Sequence, residues 1–304
     1  MEFRQLQYIL TIAQEGTLLA ASEKLFITPS ALSQFVSKLE SDLRTPLFKR
    51  TKGGWVPTYA GQIYIDMAKD ILLKEKNAHR RISDIADNQI GHFTVGVTPG
   101  RGTLMFSSIF PKFKALYPNV KVGLYEGTVL QISEMIAAGK VDIGFVTNIL
   151  DYPNVETFPQ ADERIVLAVP KWHPLAHLAE NTANDELATV ELKLFHDDEF
   201  LLAGEGTTLR TLADRAFSEA GFIPKVTFET VSITTLHTLA RSGFGLSFVP
   251  QFYVDSQAEA VYFNTTPPLS WQLVAATRKG SYLTRPENAI IQLVTEYYQT
   301  AKQE

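Results

Sequence analysis

The 304-residue chain contains no cysteine. That absence excludes disulfide scaffolds, thiolate zinc sites and cysteine nucleophiles together, and it fits a reducing cytoplasm, where the chain is expected to reside. Long apolar runs are missing as well. Nowhere does the chain approach the ~20 consecutive apolar residues that a membrane-spanning helix needs. The opening "MEFRQLQYILTIAQEG" threads polar residues through its apolar ones, unlike the basic start and unbroken apolar run of a signal peptide. No internal repeat or low-complexity tract is visible, and no membrane partner is expected.

What is present is ordinary in bulk: 45% hydrophobic and 20% charged residues exclude disordered and fibrous classes. The length implies about two domains. A net charge of −5 argues against nucleic acid only until its distribution is read. Between Lys24 and Lys52 the basic residues Lys24, Lys38, Arg44, Lys49, Arg50 and Lys52 face only Glu40 and Asp42, a local balance of +4. A local patch suffices for phosphate binding, because salt confines each exposed charge to about 8–10 Å.

The same stretch carries a helical pattern. Leu6, Ile9, Leu10 and Ala13 form one apolar stripe, Gly16 stops that helix, and Thr17 caps the next, in which Ala20, Ala21 and Leu25 permit close packing. Thr28 is a good N-cap and Pro29 suits the first helical position, where its missing N–H costs nothing. In the third helix Leu32, Val36, Leu39 and Leu43 form the buried stripe, while Ser30, Ser33, Gln34 and Ser37 share the opposite face, with Lys38 beside them. Polar helix faces ordinarily meet water. Solvated faces, however, are usually rich in Glu and Lys, whereas short donors and acceptors such as Ser and Gln can approach base edges in a major groove. Phe35, on the flank, suits either packing or contact with a thymine methyl.

The next segment, "LFKRTKGGWVPTYAG", places Lys49, Arg50 and Lys52 before a hairpin turn at Gly53-Gly54. A basic two-stranded wing beside a helix-turn-helix supplies phosphate contacts that orient the reading helix. Thr28 and Thr58 complete the candidate double-stranded DNA face. From Tyr59 to about Asn88 a proline-free helix repeats Ala60, Tyr64, Met67, Ile71, Ala78, Ile82 and Ile85 at three- and four-residue spacing, with Glu75 as one break, which predicts a dimerising connector.

Beyond Gly91 strands alternate with helices, implying parallel strands and crossover helices in two α/β lobes. The expected boundaries are 1–58 for the DNA-binding domain, 59–90 for the linker helix and 91–304 for the remainder. Within the last, lobe one takes about 91–162 and 268–304, and lobe two about 163–267.

No catalytic constellation is evident. His173 and His177 are four apart, but Pro174 between them spoils helical spacing for a metal pair. "HDDE" at 196–199 reads as a solvated strand entry, and "GEGTTLR" is too short for a nucleotide fingerprint. No metal, cofactor or catalytic residue is therefore assigned. Small polar residues do gather at predicted strand ends: Thr98 with Gly100 and Thr103, then Thr128, Thr147, and Thr207 with Thr208. Each suits a helix cap or a ligand contact, because ligands of open α/β sheets bind beyond the strands' carboxyl ends. Arg101 and Arg210 are added as candidates for an anionic ligand.

These residues resemble the LysR-type transcriptional regulators. "AASEKLFITPSALSQFVSKLE" is similar to the family's helix-turn-helix, "TPLFKRTKGGWVPTYAG" to its wing and residues 59–88 to its linker helix. More loosely, "FTVGVTPG", "VDIGFVT" and "GFGLSFVP" resemble its effector domain. The resemblance implies an α+β chain with an N-terminal winged helix-turn-helix, a long linker helix and a C-terminal two-lobed α/β domain like type 2 periplasmic binding proteins. It further implies a homodimer or homotetramer that binds promoter DNA, engages RNA polymerase and responds to a small effector in a cleft lined by Thr98, Thr128, Thr147 and Thr207. The chain departs from the family at Thr28-Pro29-Ser30, where many members carry Ser-Gln-Pro, and at Gln34 and Phe35, where Arg and Gln are commoner. An alternative of another class is a small-molecule carrier or transferase with an N-terminal helical assembly module.

Overall fold

The computed structural model describes residues 3–85, 91–148, 151–179, 187–255 and 259–300. Two compact units, Met1–Asp87 and Asn88–Glu304, divide the chain. In the first, α1 (Phe3–Glu15), α2 (Leu18–Leu25) and α3 (Pro29–Leu43) precede a hairpin of β1 (Phe48–Thr51) and β2 (Gly54–Pro57), and α4 (Tyr59–Ile85) follows. The expected caps are in place: Thr17 accepts from the Ala20 N–H and Thr28 from the Ala31 N–H, each at 3.2 Å, with Pro29 in the first turn. Between α2 and α3 the chain turns at Phe26, a left-handed residue with φ 53°.

The small core joins Ile9, Ile12, Ala21, Leu32, Val36 and Leu47. The α3 stripe is shorter than its sequence pattern: Leu43 is 43% exposed, because Arg44 ends the helix in the left-handed region and turns the chain away. The wing turn sits one residue earlier than expected, at Lys52-Gly53, with Thr51 paired to Gly54. Gly54 has a separate reason to be glycine: at φ 115° a Cβ there would collide with the Gly16 carbonyl oxygen. That close approach lets the Trp55 N–H donate to Gly16 O at 2.6 Å, fastening the wing to the α1–α2 turn.

On α4, Ile65 and Ala68 are buried, and Ala60 and Tyr64 pack on the same domain core. The first two residues of the expected dimer seam therefore belong to the domain itself. Met67 and Ile71 are half-buried and Ile82 is exposed, while Asn88 and the side chain of Ile85 lie outside the described residues.

The second unit begins with β3 (Gly91–Val97), α5 (Arg101–Leu116), β4 (Val120–Glu126), α6 (Val129–Ala137) and β5 (Ile143–Thr147). These three strands are parallel, as the alternation predicts. Then β6 (Val155–Pro170) runs 16 residues without interruption. It is followed by β7 (Thr189–Glu191), β8 (Glu199–Ala203), α7 (Thr208–Ala220), β9 (Lys225–Thr230), α8 (Ile233–Arg241), β10 (Ser247–Pro250), β11 (Ala260–Thr266), β12 (Leu269–Arg278) and α9 (Arg285–Thr300). The main sheet runs β4-β3-β5-β12-β6-β11-β7, with β10 also on β6, and β8 pairs in parallel with β9.

The expected lobe junction at 162/163 falls inside β6. The first part of that strand pairs with β12 and its last residues with β10 and β11, all antiparallel. Lobe one thus contains β3, β4, β5, α5, α6 and α9, lobe two contains β7 to β11 with α7 and α8, and a continuous strand joins them. The register of β6 on β12 shifts between Leu273 and Val274, a local irregularity in that connection.

Candidate DNA interface and effector cleft

On α3, Ser30, Gln34, Ser37 and Lys38 are exposed together on one face, and Ser33 is half-buried beside them. Thr28 stands at the entrance, its hydroxyl 3.1 Å from that of Ser30. Phe35 turns inward. It is half-buried and meets Tyr8 edge-on, with ring centroids 5.3 Å apart, so packing engages the ring that a thymine methyl would need.

The wing exposes Lys49, Arg50 and Lys52, and the Arg50 guanidinium lies 5.1 Å over the Trp55 ring. That contact orients a cation that still faces solvent. Two residues differ from expectation. Thr58 has its hydroxyl engaged within the fold, donating to Pro46 O at 2.7 Å and accepting from the Gly61 N–H at 3.0 Å, and so joins the wing to α4. Lys24, counted in the basic stretch, is paired with Glu15.

Glu40, not assigned a role from composition or spacing, holds the wing in place: its Oε1 accepts from the Leu47 N–H at 2.7 Å and the Phe48 N–H at 3.0 Å. A carboxylate half-buried near the end of α3 and followed by the "TPLF" turn was the available signal.

In the second unit Thr98, Thr128, Thr147, Thr207 and Thr208 converge on one cavity of about 120 Å³. Their placement follows from the strand-end rule. Thr98 follows β3; Thr128 caps α6 in a full capping box with Gln131; Thr147 ends β5; Thr207 caps α7 and also donates to Gly204 O at 2.8 Å. Thr147 donates to Thr208 Oγ1 at 3.1 Å, both buried, which ties lobe one to lobe two. Only Thr98 among the five has a hydroxyl without a hydrogen bond to any described residue.

The walls were not foreseen: Phe145, Ile233, Tyr253, Trp271, Leu273 and Tyr298 give the cavity a largely apolar surface. Trp271 is oriented by donating its indole N–H to the buried Glu163 at 2.7 Å. Alternating apolar residues in "WQLVAA" signalled a strand but not that its start would face a ligand cleft.

Three expected cleft residues, Gly100, Thr103 and Arg210, are placed otherwise. Gly100 precedes α5 at φ 80°; a Cβ there would lie 2.9 Å from the Tyr253 hydroxyl and 3.1 Å from Thr234 Oγ1, so it marks a second close approach of the lobes rather than a wall. Thr103, in the first turn of α5, donates to Glu126 at the end of β4, and neither lines the cavity. The side chain of Arg101 lies outside the described residues. Arg210 is held by Asp214 at 2.8 Å and by Glu229, and also donates to Ala203 O at 3.3 Å. The bond to Asp214, with Glu229, raises its pKa further and neutralises the charge expected to meet an anion.

His173 and His177 serve the fold. His173 Nδ1 accepts from the Leu175 N–H at 3.1 Å, so Nε2 donates to Asp198 at 3.0 Å, while His177 Nδ1 meets Pro174 O at 2.7 Å. Among the described residues no group of three His, Cys, Asp or Glu could hold a metal, and no helix is long and apolar enough to cross a membrane.

Residues 3–62 match the family model for the bacterial regulatory helix-turn-helix protein, lysR family, and residues 86–299 match the LysR substrate binding domain. The chain is 28% identical over 307 residues to the HTH-type transcriptional regulator YcgK of Bacillus subtilis, covering 97% of this chain and 94% of that one. It is 27% identical over 258 residues to the hydrogen peroxide-inducible genes activator of Haemophilus influenzae, covering 84% and 81%. Among solved structures, a full-length OxyR variant from Pseudomonas aeruginosa superposes with a TM-score of 0.68 at 24% identity, covering 97% of this chain and 94% of that chain.

Proposed function

The chain belongs to the LysR family of bacterial DNA-binding transcriptional regulators, and on that premise we propose which residues read DNA and where its effector binds. Ser30, Ser33, Gln34 and Ser37 read base edges, with Thr28 and Lys38 at their margin, while Lys49, Arg50 and Lys52 hold phosphates. The effector occupies the cleft ringed by Thr98, Thr128, Thr147, Thr207 and Thr208. The protein acts as a homodimer or homotetramer, with Met67, Ile71 and Ile82 of α4 at the seam. Occupancy favours one arrangement of the lobes, and the promoter response follows by population shift. A helix-turn-helix match over residues 3–62 favours this reading over the carrier or transferase alternative.

The observation that carries the cleft is the convergence on one cavity of five threonines from three strand-to-helix junctions and the end of β5. Sensing peroxide, named for the Haemophilus relative, would here need a side chain other than cysteine, the usual peroxide-reactive group, since the chain has none.

The test is to capture genomic fragments with the full chain, sequence them, and measure affinity across salt. Expected are a recurrent half-site pattern and a linear fall of log affinity with log salt. Binding without sequence preference would overturn the assignment of α3 as the reading helix.

A further inference from the structure

We infer that the cleft takes a compact ligand whose body is a single apolar or aromatic ring and whose polarity is confined to one end; this rests on the effector reading above. Size is the first constraint. Pockets for drug-sized ligands span roughly 300–1,000 Å³, whereas an apolar cavity of ~150 Å³ holds benzene. At about 120 Å³ this cavity has room for one ring, with a substituent reaching its mouth.

Surface chemistry is the second constraint. Phe145, Ile233 and Leu273 are hydrocarbon walls, and Trp271 offers its ring, because its N–H is already bonded to Glu163. The hydroxyls of Thr147 and Thr208 bond each other, and those of Thr128 and Thr207 cap helices. Thr98 is the one of the five whose hydroxyl has no hydrogen bond to a described residue, which makes it the first partner for the ligand's polar end, with the O–H hydrogens of Thr128 and Thr208 beside it. Among the described side chains, with Arg210 held by Asp214 and Glu229, a sugar or a polyanion would have more polar groups than partners, and burying the remainder is unfavourable.

The test uses the full chain carrying Trp55→Phe and Trp172→Phe, which leaves Trp271 in the cleft wall as the single tryptophan of three. Its fluorescence is followed on titration with benzyl alcohol, benzoate, glucose and citrate. Expected is a saturable response at millimolar concentration or below to at least one ring probe and none to glucose or citrate. Whether the alcohol or the carboxylate binds tighter shows if the polar end is neutral or a monoanion. Thr98→Val should weaken ring binding about two- to tenfold. At the cleft mouth Val231 is 68% exposed, so Val231→Asp tolerates folding and should weaken benzoate at least tenfold. Tighter binding of citrate or glucose, no saturable response to either ring probe, or unchanged ring affinity in Thr98→Val would overturn the ligand class. None of these results touches the regulator reading, which is scored separately by sequence-specific, salt-steep DNA binding of the unsubstituted chain, because Trp55 orients Arg50 in the wing.

Discussion

Thr147 at the end of β5 donates its hydroxyl hydrogen to Thr208 at the start of α7, 3.1 Å away and 61 residues later in the chain. Both side chains are buried, so each is the other's substitute for water. This bond spans the two lobes at the floor of the cleft, where a ligand would act on both.

Thr147→Val should therefore do more than remove a ligand contact. It strands the Thr208 hydroxyl and should lower stability by about 1–3 kcal/mol. Thr208→Val should cost a similar amount, and the double variant clearly less than the sum, because removing both partners leaves no unsatisfied group. Urea melts of the three variants check this.

For DNA, Gln34→Ala should weaken operator binding by about 1–3 kcal/mol with little effect on random sequence. Ser33→Ala should act in the same direction but less, since Ser33 is half-buried. Arg50→Ala should weaken all sequences alike and flatten the salt slope by about one unit. Competition anisotropy with operator and scrambled duplexes separates these outcomes.

Glu40→Ala removes the acceptor shared by the Leu47 and Phe48 N–H groups. The wing loses its anchor to α3, at a cost of about 1–3 kcal/mol, and affinity for every DNA sequence should fall with it. Thermal unfolding and non-specific binding are the two readouts.

On α4, Ile71→Glu and Ile82→Glu place a charge in the proposed seam. Ile82 is 63% exposed in the single chain, so a loss of association there cannot be attributed to a damaged core. Sedimentation velocity should show a shift toward monomer; unchanged assembly in both variants would assign these residues to ordinary surface.

His237 is buried and bonded through Nε2 to the Tyr262 hydroxyl at 2.8 Å. Burial first, and the nearby Arg241 second, lower its pKa, with Asp255 opposing. A histidine whose folded-state pKa is depressed binds its proton more readily when unfolded. Its contribution to stability is complete above the unfolded value of about 6.5 and is lost as pH falls below it toward the folded value. The melting temperature should drop between pH 7 and pH 5, and His237→Gln should flatten that part of the profile.

Much of this protein was legible from local sequence. Thr17, Thr28 and Pro29 mark helix starts because capping involves only neighbouring residues, and the serines and Gln34 share a face because helical periodicity dictates it. The threonines of the cleft were found from a rule about strand ends, which needs only the order of elements.

Tertiary contacts decided the rest. Phe35 is committed to packing by Tyr8, 27 positions earlier, and Arg210, already paired with Asp214 one turn on, is also held by Glu229, 19 positions later. Thr58 is engaged by Pro46, and β6 runs unbroken through the expected lobe junction because β12, β10 and β11 pair along its length. The apolar walls of the cleft likewise come from β5, α8 and β12, segments far apart in sequence. Periodicity and capping are set within a few residues along the chain, whereas the partner that engages a hydroxyl, a guanidinium or a ring is set by which distant segments the folded core brings within bonding distance.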